Sequence, residues 1–112
     1  MNQDWANDWY LLCAAADIVP GTVGRRTVGT HSFAVFNIDG NFVAAADACE
    51  DCRTAISEGA IMDEAVECKD CGSTFHIVAH GLSDGNTENQ LSTYPIMVVD
   101  EEIFAWIEKE PR

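Results

Sequence analysis

Basic residues are scarce in this chain: 6 lysines and arginines stand against 19 aspartates and glutamates, a formal net charge of −13 over 112 residues. A field of that sign repels polyanions, so neither nucleic acid nor an anionic membrane surface is an expected partner. The charge serves solubility, and it would also steer the chain toward a basic protein surface. No apolar run approaches the roughly 20 residues that a membrane span needs. The opening stretch, MNQDWANDWY, is polar and acidic without a basic n-region, so no secretory signal is expected and the cytoplasm is the expected compartment. Catalytic machinery is missing too. No Ser/His/Asp set, phosphate-cradling glycine loop or pair of inward carboxylates stands out, so the chain is not expected to be an enzyme.

What is present reads as one globular domain over residues 1–112, with 47% hydrophobic and 22% charged residues and no evident internal repeat. The pattern is nearly all strand. Trp9–Cys13 is a first strand, closed by the Pro20-Gly21 turn signal. Ser32–Ile38 and Asn41–Ala46 flank Asp39-Gly40, the pair a type I′ hairpin favours because both positions need positive φ. Residues 47–57 lack periodicity and read as a loop. Ala65–Cys68 and Ser73–Val78 are short strands, although DEAVECKD has some helix-like composition. His80-Gly81 and Asp84-Gly85 mark turns, and SDGNTENQLS a solvated loop. Tyr94–Val99 and Ile103–Glu108 form a closing hairpin. Ile96 and Val98 on one face, with Met97 and Val99 on the other, suggest a strand inside a sandwich or partly closed barrel.

The chemistry lies in CEDCRTAISEGAIMDEAVECKDC, two Cys-x-x-Cys pairs with fifteen residues between them. A chain expected in a reducing compartment gains little from a disulfide framework. Two such pairs instead supply Cys49, Cys52, Cys68 and Cys71 as candidate metal ligands, and soft thiolates select zinc, iron or an iron–sulfur cluster. Spacing alone allows a single tetrahedral ion or a Cys₄ [2Fe–2S] cluster. The alternative is unligated thiols or a Cys52–Cys71 disulfide. Cys13, in the apolar run WYLLC, reads as a core residue. His31, His76 and His80 read as surface or packed residues. Asp51 could offer an oxygen, but Cys52 beside it is the softer donor.

CKDCGSTF followed by HIVAHG resembles the second box of Rieske-type ferredoxins, Cys-x-x-His-Gly-Ser-x-Phe with a turn glycine. Cys68, Gly72, Ser73, Phe75 and Gly81 fall on matching positions. ADACED resembles the first box, Cys-x-His, with Cys49 on the cysteine, and sixteen residues separate Asp51 from Cys68 as in that family. FAVFNIDGNFVAAAD and YPIMVVDEEIFAWI resemble the hairpins before and after the boxes, so the likeness runs from Trp9 to Ile107. It implies an all-β fold, the Rieske iron–sulfur-protein (ISP) type of sandwich or partly closed barrel. A small metal-binding subdomain of two cysteine-bearing loops, about 47–57 and 68–75, would sit on it.

Both histidine ligands of the family are replaced: Asp51 stands at the first histidine position and Cys71 at the second, while Cys52 follows one residue after Asp51. The outcome is the Cys-x-x-Cys/Cys-x-x-Cys set of rubredoxin and of zinc ribbons. The resemblance implies a [2Fe–2S] cluster, with a rubredoxin-like single iron or a Cys₄ zinc site as alternatives. It also implies an electron carrier between a flavin-dependent reductase and a terminal oxygenase, often an aromatic-ring hydroxylating one. The rival expectation is a redox-silent binding or adaptor module with a structural zinc site.

Overall fold

The computed structural model describes residues 9–29, 31–49, 51–62, 64–77, 91 and 93–107. Ten strands occur among them: β1 Trp9–Ala14, β2 Val23–Val28, β3 His31–Ile38, β4 Asn41–Ala46, β5 Ala60–Met62, β6 Ala65–Glu67, β7 Thr74–His76, β8 Thr93–Tyr94, β9 Ile96–Val99 and β10 Glu102–Trp106. The helical content of the described residues is two single 3-10 turns, Ala15–Asp17 and Ile56–Glu58. The described part of DEAVECKD holds no helix: Ala65–Glu67 is a strand between β5 and β7, and Lys69 and Asp70 belong to a turn. The turns at His80-Gly81 and Asp84-Gly85, together with Val78 and Glu108, lie outside the described residues. Of the polar loop SDGNTENQLS only Leu91 is described, and it is buried rather than solvated, with its N–H donating to the His76 carbonyl at 2.8 Å.

Three antiparallel sheets stack around β3 and β4. The central sheet has the order β2-β3-β4-β8, the second β1-β10-β9, and the small third β5-β6-β7. The β3–β4 hairpin turns through Asp39 and Gly40 at φ 56 and 91, the positive values expected of a type I′ turn. Asn37 braces it: Oδ1 accepts from Gly40 N–H at 2.7 Å, and Nδ2 donates to the Ile18 carbonyl at 2.7 Å. That accounts for a buried polar side chain in an apolar strand.

The hairpin is covered on both faces. Phe33, Val35 and Ala44 pack toward Leu12, Ile103, Ala105 and Ile107 of the second sheet's side. Ala34, Phe36, Val43 and Ala45 pack toward Cys49, Ile56, Val66, Cys68 and Phe75. Burial from both sides explains the near-continuous apolar run FAVF, since no face is left for polar residues. The cysteine loops are thus built into one of the two cores.

The strand read from the sequence as doubly covered is not. β9 forms an edge of its sheet, and Met97, Val98 and Val99 are exposed. Apolar residues on both faces of an edge strand reflect neighbours on its outer face: Met97 pairs with Phe104, and Phe104 with Leu11. Two strands escaped the sequence reading. β2 carries Gly24, Arg25 and Arg26 between its valines, and β5 is three residues long.

Candidate metal centre

Each Cys-x-x-Cys segment folds into a tight turn closed by the same two backbone bonds. In the first, Cys49 N–H donates to the Thr54 carbonyl at 2.7 Å, and Arg53 N–H to the Cys49 carbonyl at 2.8 Å. In the second, Cys68 N–H donates to the Ser73 carbonyl at 2.8 Å, and Gly72 N–H to the Cys68 carbonyl at 3.0 Å. Both turns need a left-handed residue after the second cysteine, supplied by Arg53 at φ 71 and Gly72 at φ 78. Such turns aim both of their sulfurs to one side.

The two turns face each other, and the Sγ atoms of Cys49, Cys52, Cys68 and Cys71 all lie within 4.8 Å of one another. Sulfurs of opposite turns come close: Cys49 and Cys71 are 3.6 Å apart, and Cys52 and Cys68 3.5 Å. Cys49 and Cys68 are buried, while Cys52 and Cys71 are exposed. The buried pair occupies the positions that match the family's cysteines. The exposed pair comprises Cys71, at a histidine position, and Cys52, next to one.

Hydrogen bonds stitch one turn to the other. Thr54 Oγ1 donates to Asp70 Oδ2 at 2.6 Å, and Ser73 Oγ to Asp51 Oδ2 at 2.5 Å. The same hydroxyls sit beside the exposed sulfurs, Thr54 Oγ1 at 3.4 Å from Cys52 Sγ and Ser73 Oγ at 3.3 Å from Cys71 Sγ. Asp51 N–H donates to Cys49 Sγ at 3.4 Å. The carboxylate of Asp51 is thereby engaged by Ser73.

These surroundings split the thiols. Burial pushes Cys49 up to about 11, while the Thr54 hydroxyl and backbone hold Cys52 down at about 6. An outer bracket fixes the first turn to the sheet. Asp47, buried, accepts from Ser57 N–H and Ser57 Oγ, each at 2.7 Å, and pairs with Arg25 Nε of β2 at 3.3 Å. Next to Ser57, Glu58 Oε1 meets Lys69 Nζ of the second turn at 2.7 Å on the surface.

Sequence reasoning gathered the four cysteines but missed the ties made by Thr54, by Ser73 (read there only as a match to the family's second box) and by Asp70, and the bracket at Asp47. A signal for the first three exists: CEDCRT and CKDCGS share Cys-x-Asp-Cys-x-Thr/Ser, a local duplication. Cys13 lies in the other core cluster, where burial raises its thiol. His31 stacks near Phe33, with ring centroids 6.2 Å apart, and His76 lies in β7; neither belongs to the sulfur cluster. His80 lies outside the described residues.

Fold and site together define a small β protein with four converging thiols, two buried and two exposed. The chain belongs to the Rieske [2Fe–2S] domain family, whose profile it matches over residues 8–95. It is 29% identical over 103 residues to ferredoxin CarAc of Metapseudomonas resinovorans, covering 91% of this chain and 96% of that one. It is 30% identical over 106 residues to the 3-phenylpropionate/cinnamic acid dioxygenase ferredoxin subunit of Photorhabdus laumondii, covering 89% and 96%. A solved complex of reduced oxygenase and oxidised ferredoxin in carbazole 1,9a-dioxygenase contains a similar chain, 28% identical, with TM-score 0.74 and coverage of 95% and 99%. The Sphingomonas yanoikuyae B1 ferredoxin shares the fold at TM-score 0.75 and 20% identity, over 88% of this chain and 98% of that one.

Membership implies a [2Fe–2S] cluster at this site. The donor set meets that need chemically, because four cysteine thiolates are the usual ligands of such clusters. In Rieske centres two cysteines hold one iron and two histidines the other. By position, Cys49 and Cys68 would hold the first iron here, and Cys52 and Cys71 the second.

Proposed function

We propose that this chain is the ferredoxin component of a multicomponent oxygenase, taking one electron at a time from a flavin-dependent reductase and delivering it to a terminal oxygenase. Cys49, Cys52, Cys68 and Cys71 hold its centre, residues 1–112 act as one domain, and the cytoplasm is its compartment. No helix among the described residues is long and apolar enough to cross a membrane. The observation that carries the reading is the convergence of four thiols with one sulfur-bearing residue of each turn exposed.

A thiolate-held iron–sulfur centre supplies a one-electron store of tunable potential. The protein's own residues do the rest. Cys52 and Cys71 bring the centre to the surface, where a docked partner's acceptor can approach. Cys49 and Cys68 anchor it in the core beside Val66 and Phe75. Both turns are locked by backbone and side-chain bonds, so little reorganisation accompanies a change of charge. The net charge of −13 favours a basic docking face on each partner and raises the encounter rate at low salt. Bond-making on the substrate is left to the oxygenase.

An anaerobic redox titration of the purified chain, followed by electron paramagnetic resonance, tests this reading. A reversible one-electron couple, reached enzymatically with NADH and a flavin-dependent ferredoxin reductase, is expected. Absence of any reversible couple between roughly −700 and +450 mV, the span of iron–sulfur potentials, would overturn it.

A further inference from the structure

The six sulfur–sulfur separations carry more than a count of ligands. One tetrahedral ion with metal–sulfur bonds of about 2.3 Å sets its ligands about 3.8 Å apart along every edge. A two-iron cluster is different: its iron tetrahedra share an edge of two sulfides, so thiolates on different irons point away from each other. They then stand roughly 5 Å or more apart. However four thiols are divided into two pairs, four of the six separations must be of this long kind. Here none exceeds 4.8 Å. Under the division inherited by position, Cys49 and Cys71, 3.6 Å apart, and Cys52 and Cys68, 3.5 Å apart, are thiols of different irons.

The closeness is built in. Thr54–Asp70 and Ser73–Asp51 tie the turns together from both directions, with oxygens 2.6 and 2.5 Å apart. Moving the turns apart to admit two irons and two sulfides would stretch both ties.

We propose that the four thiols, as the fold places them, take up a single thiophilic divalent ion such as zinc or ferrous iron in tetrahedral coordination, so that one ion and the family's cluster are alternative occupants of the same ligands. The proposal rests on reading these cysteines as the metal ligands, but not on the electron-transfer role. Uptake forms four metal–sulfur bonds, releases to solvent each proton still held by a thiol, and moves no electron.

The test uses the full chain, stripped of metal under reducing conditions and titrated with Co(II), whose colour reports geometry. Saturation at one equivalent per chain is expected, with sulfur-to-cobalt charge transfer and the intense ligand-field bands of a tetrahedral thiolate site, bleached by one equivalent of Zn(II). Cys52→Ser and Cys71→Ser, at exposed positions, should each weaken Co(II) binding about tenfold or more and shift the bands. Cys13→Ala should do neither. Pale octahedral spectra, no uptake, or saturation at two equivalents overturns the proposal. Bands unchanged in both serine variants would overturn the ligand assignment itself. Failure of the redox titration, with one-equivalent Co(II) uptake intact, would remove the carrier role and leave the single-ion site standing.

Discussion

Arg53 and Gly72 stand at the same step of the two cysteine turns and share one left-handed backbone conformation, at φ 71 and 78. A side chain in that region costs roughly 1–2 kcal/mol against the ordinary helical well, and only the second turn uses glycine to avoid it. A Cβ at Gly72 would meet nothing within 4 Å, so its cost is purely one of backbone. Gly72→Ala should therefore destabilise the fold by about 1 kcal/mol, while Arg53→Gly should be neutral or stabilising by up to about 1 kcal/mol. Chemical denaturation of the metal-loaded variants checks both signs.

Asp47 belongs to neither turn, yet it fixes the first one to β2 through Ser57 and Arg25. Asp47→Ala leaves the Ser57 N–H without its acceptor and should cost about 1–3 kcal/mol. The variant should also surrender its metal faster to a chelator than the parent does, since residues 47–57 lose their tether. Equal chelator rates would show that the bracket serves the sheet alone.

Thiolates in place of imidazoles add negative charge and favour the oxidised centre. The cluster-loaded chain should thus show a potential below the roughly −150 to +300 mV of histidine-ligated centres and nearer the about −400 mV of all-cysteine ones. That potential should stay nearly flat from pH 6 to pH 9, because no ligand imidazole remains to lose a proton. Spectroelectrochemistry across that range would reveal a steep fall if a histidine were bound.

In the metal-free chain Cys52, held at about 6 against an ordinary 9.0, should be the first thiol alkylated by iodoacetamide. Its rate should reach half its plateau near pH 6. Cys49, buried and raised to about 11, should resist throughout the neutral range. The signs for stability oppose each other. The contribution of Cys52 is complete above 9 and lost as pH falls through 6, whereas that of Cys49 is complete below 9 and lost as pH rises through 11. Peptide mapping after timed alkylation reads the order directly.

The hairpin at Asp39-Gly40 was legible because positive φ at two adjacent residues leaves few sequence choices, and the four cysteines because thiolate pairs have few other uses. β2 was hidden by Gly24, Arg25 and Arg26, whose place on an edge strand only the tertiary fold explains. Met97, Val98 and Val99 misled for a related reason: apolar character on both faces identifies a covered strand only when neighbours exist to cover it, as they do for β3 and β4. The ties Thr54–Asp70 and Ser73–Asp51 are contacts between segments far apart in the chain. Their residues repeat in CEDCRT and CKDCGS, but partnership across the turns follows only once the turns face each other.

X-ray absorption at the metal edge of the loaded protein tests the convergence of Cys49, Cys52, Cys68 and Cys71 most directly. The account predicts a first coordination shell of sulfur alone, without the outer-shell pattern of imidazole. Nitrogen or oxygen neighbours in that shell, or fewer than four sulfurs around a single ion, would contradict it.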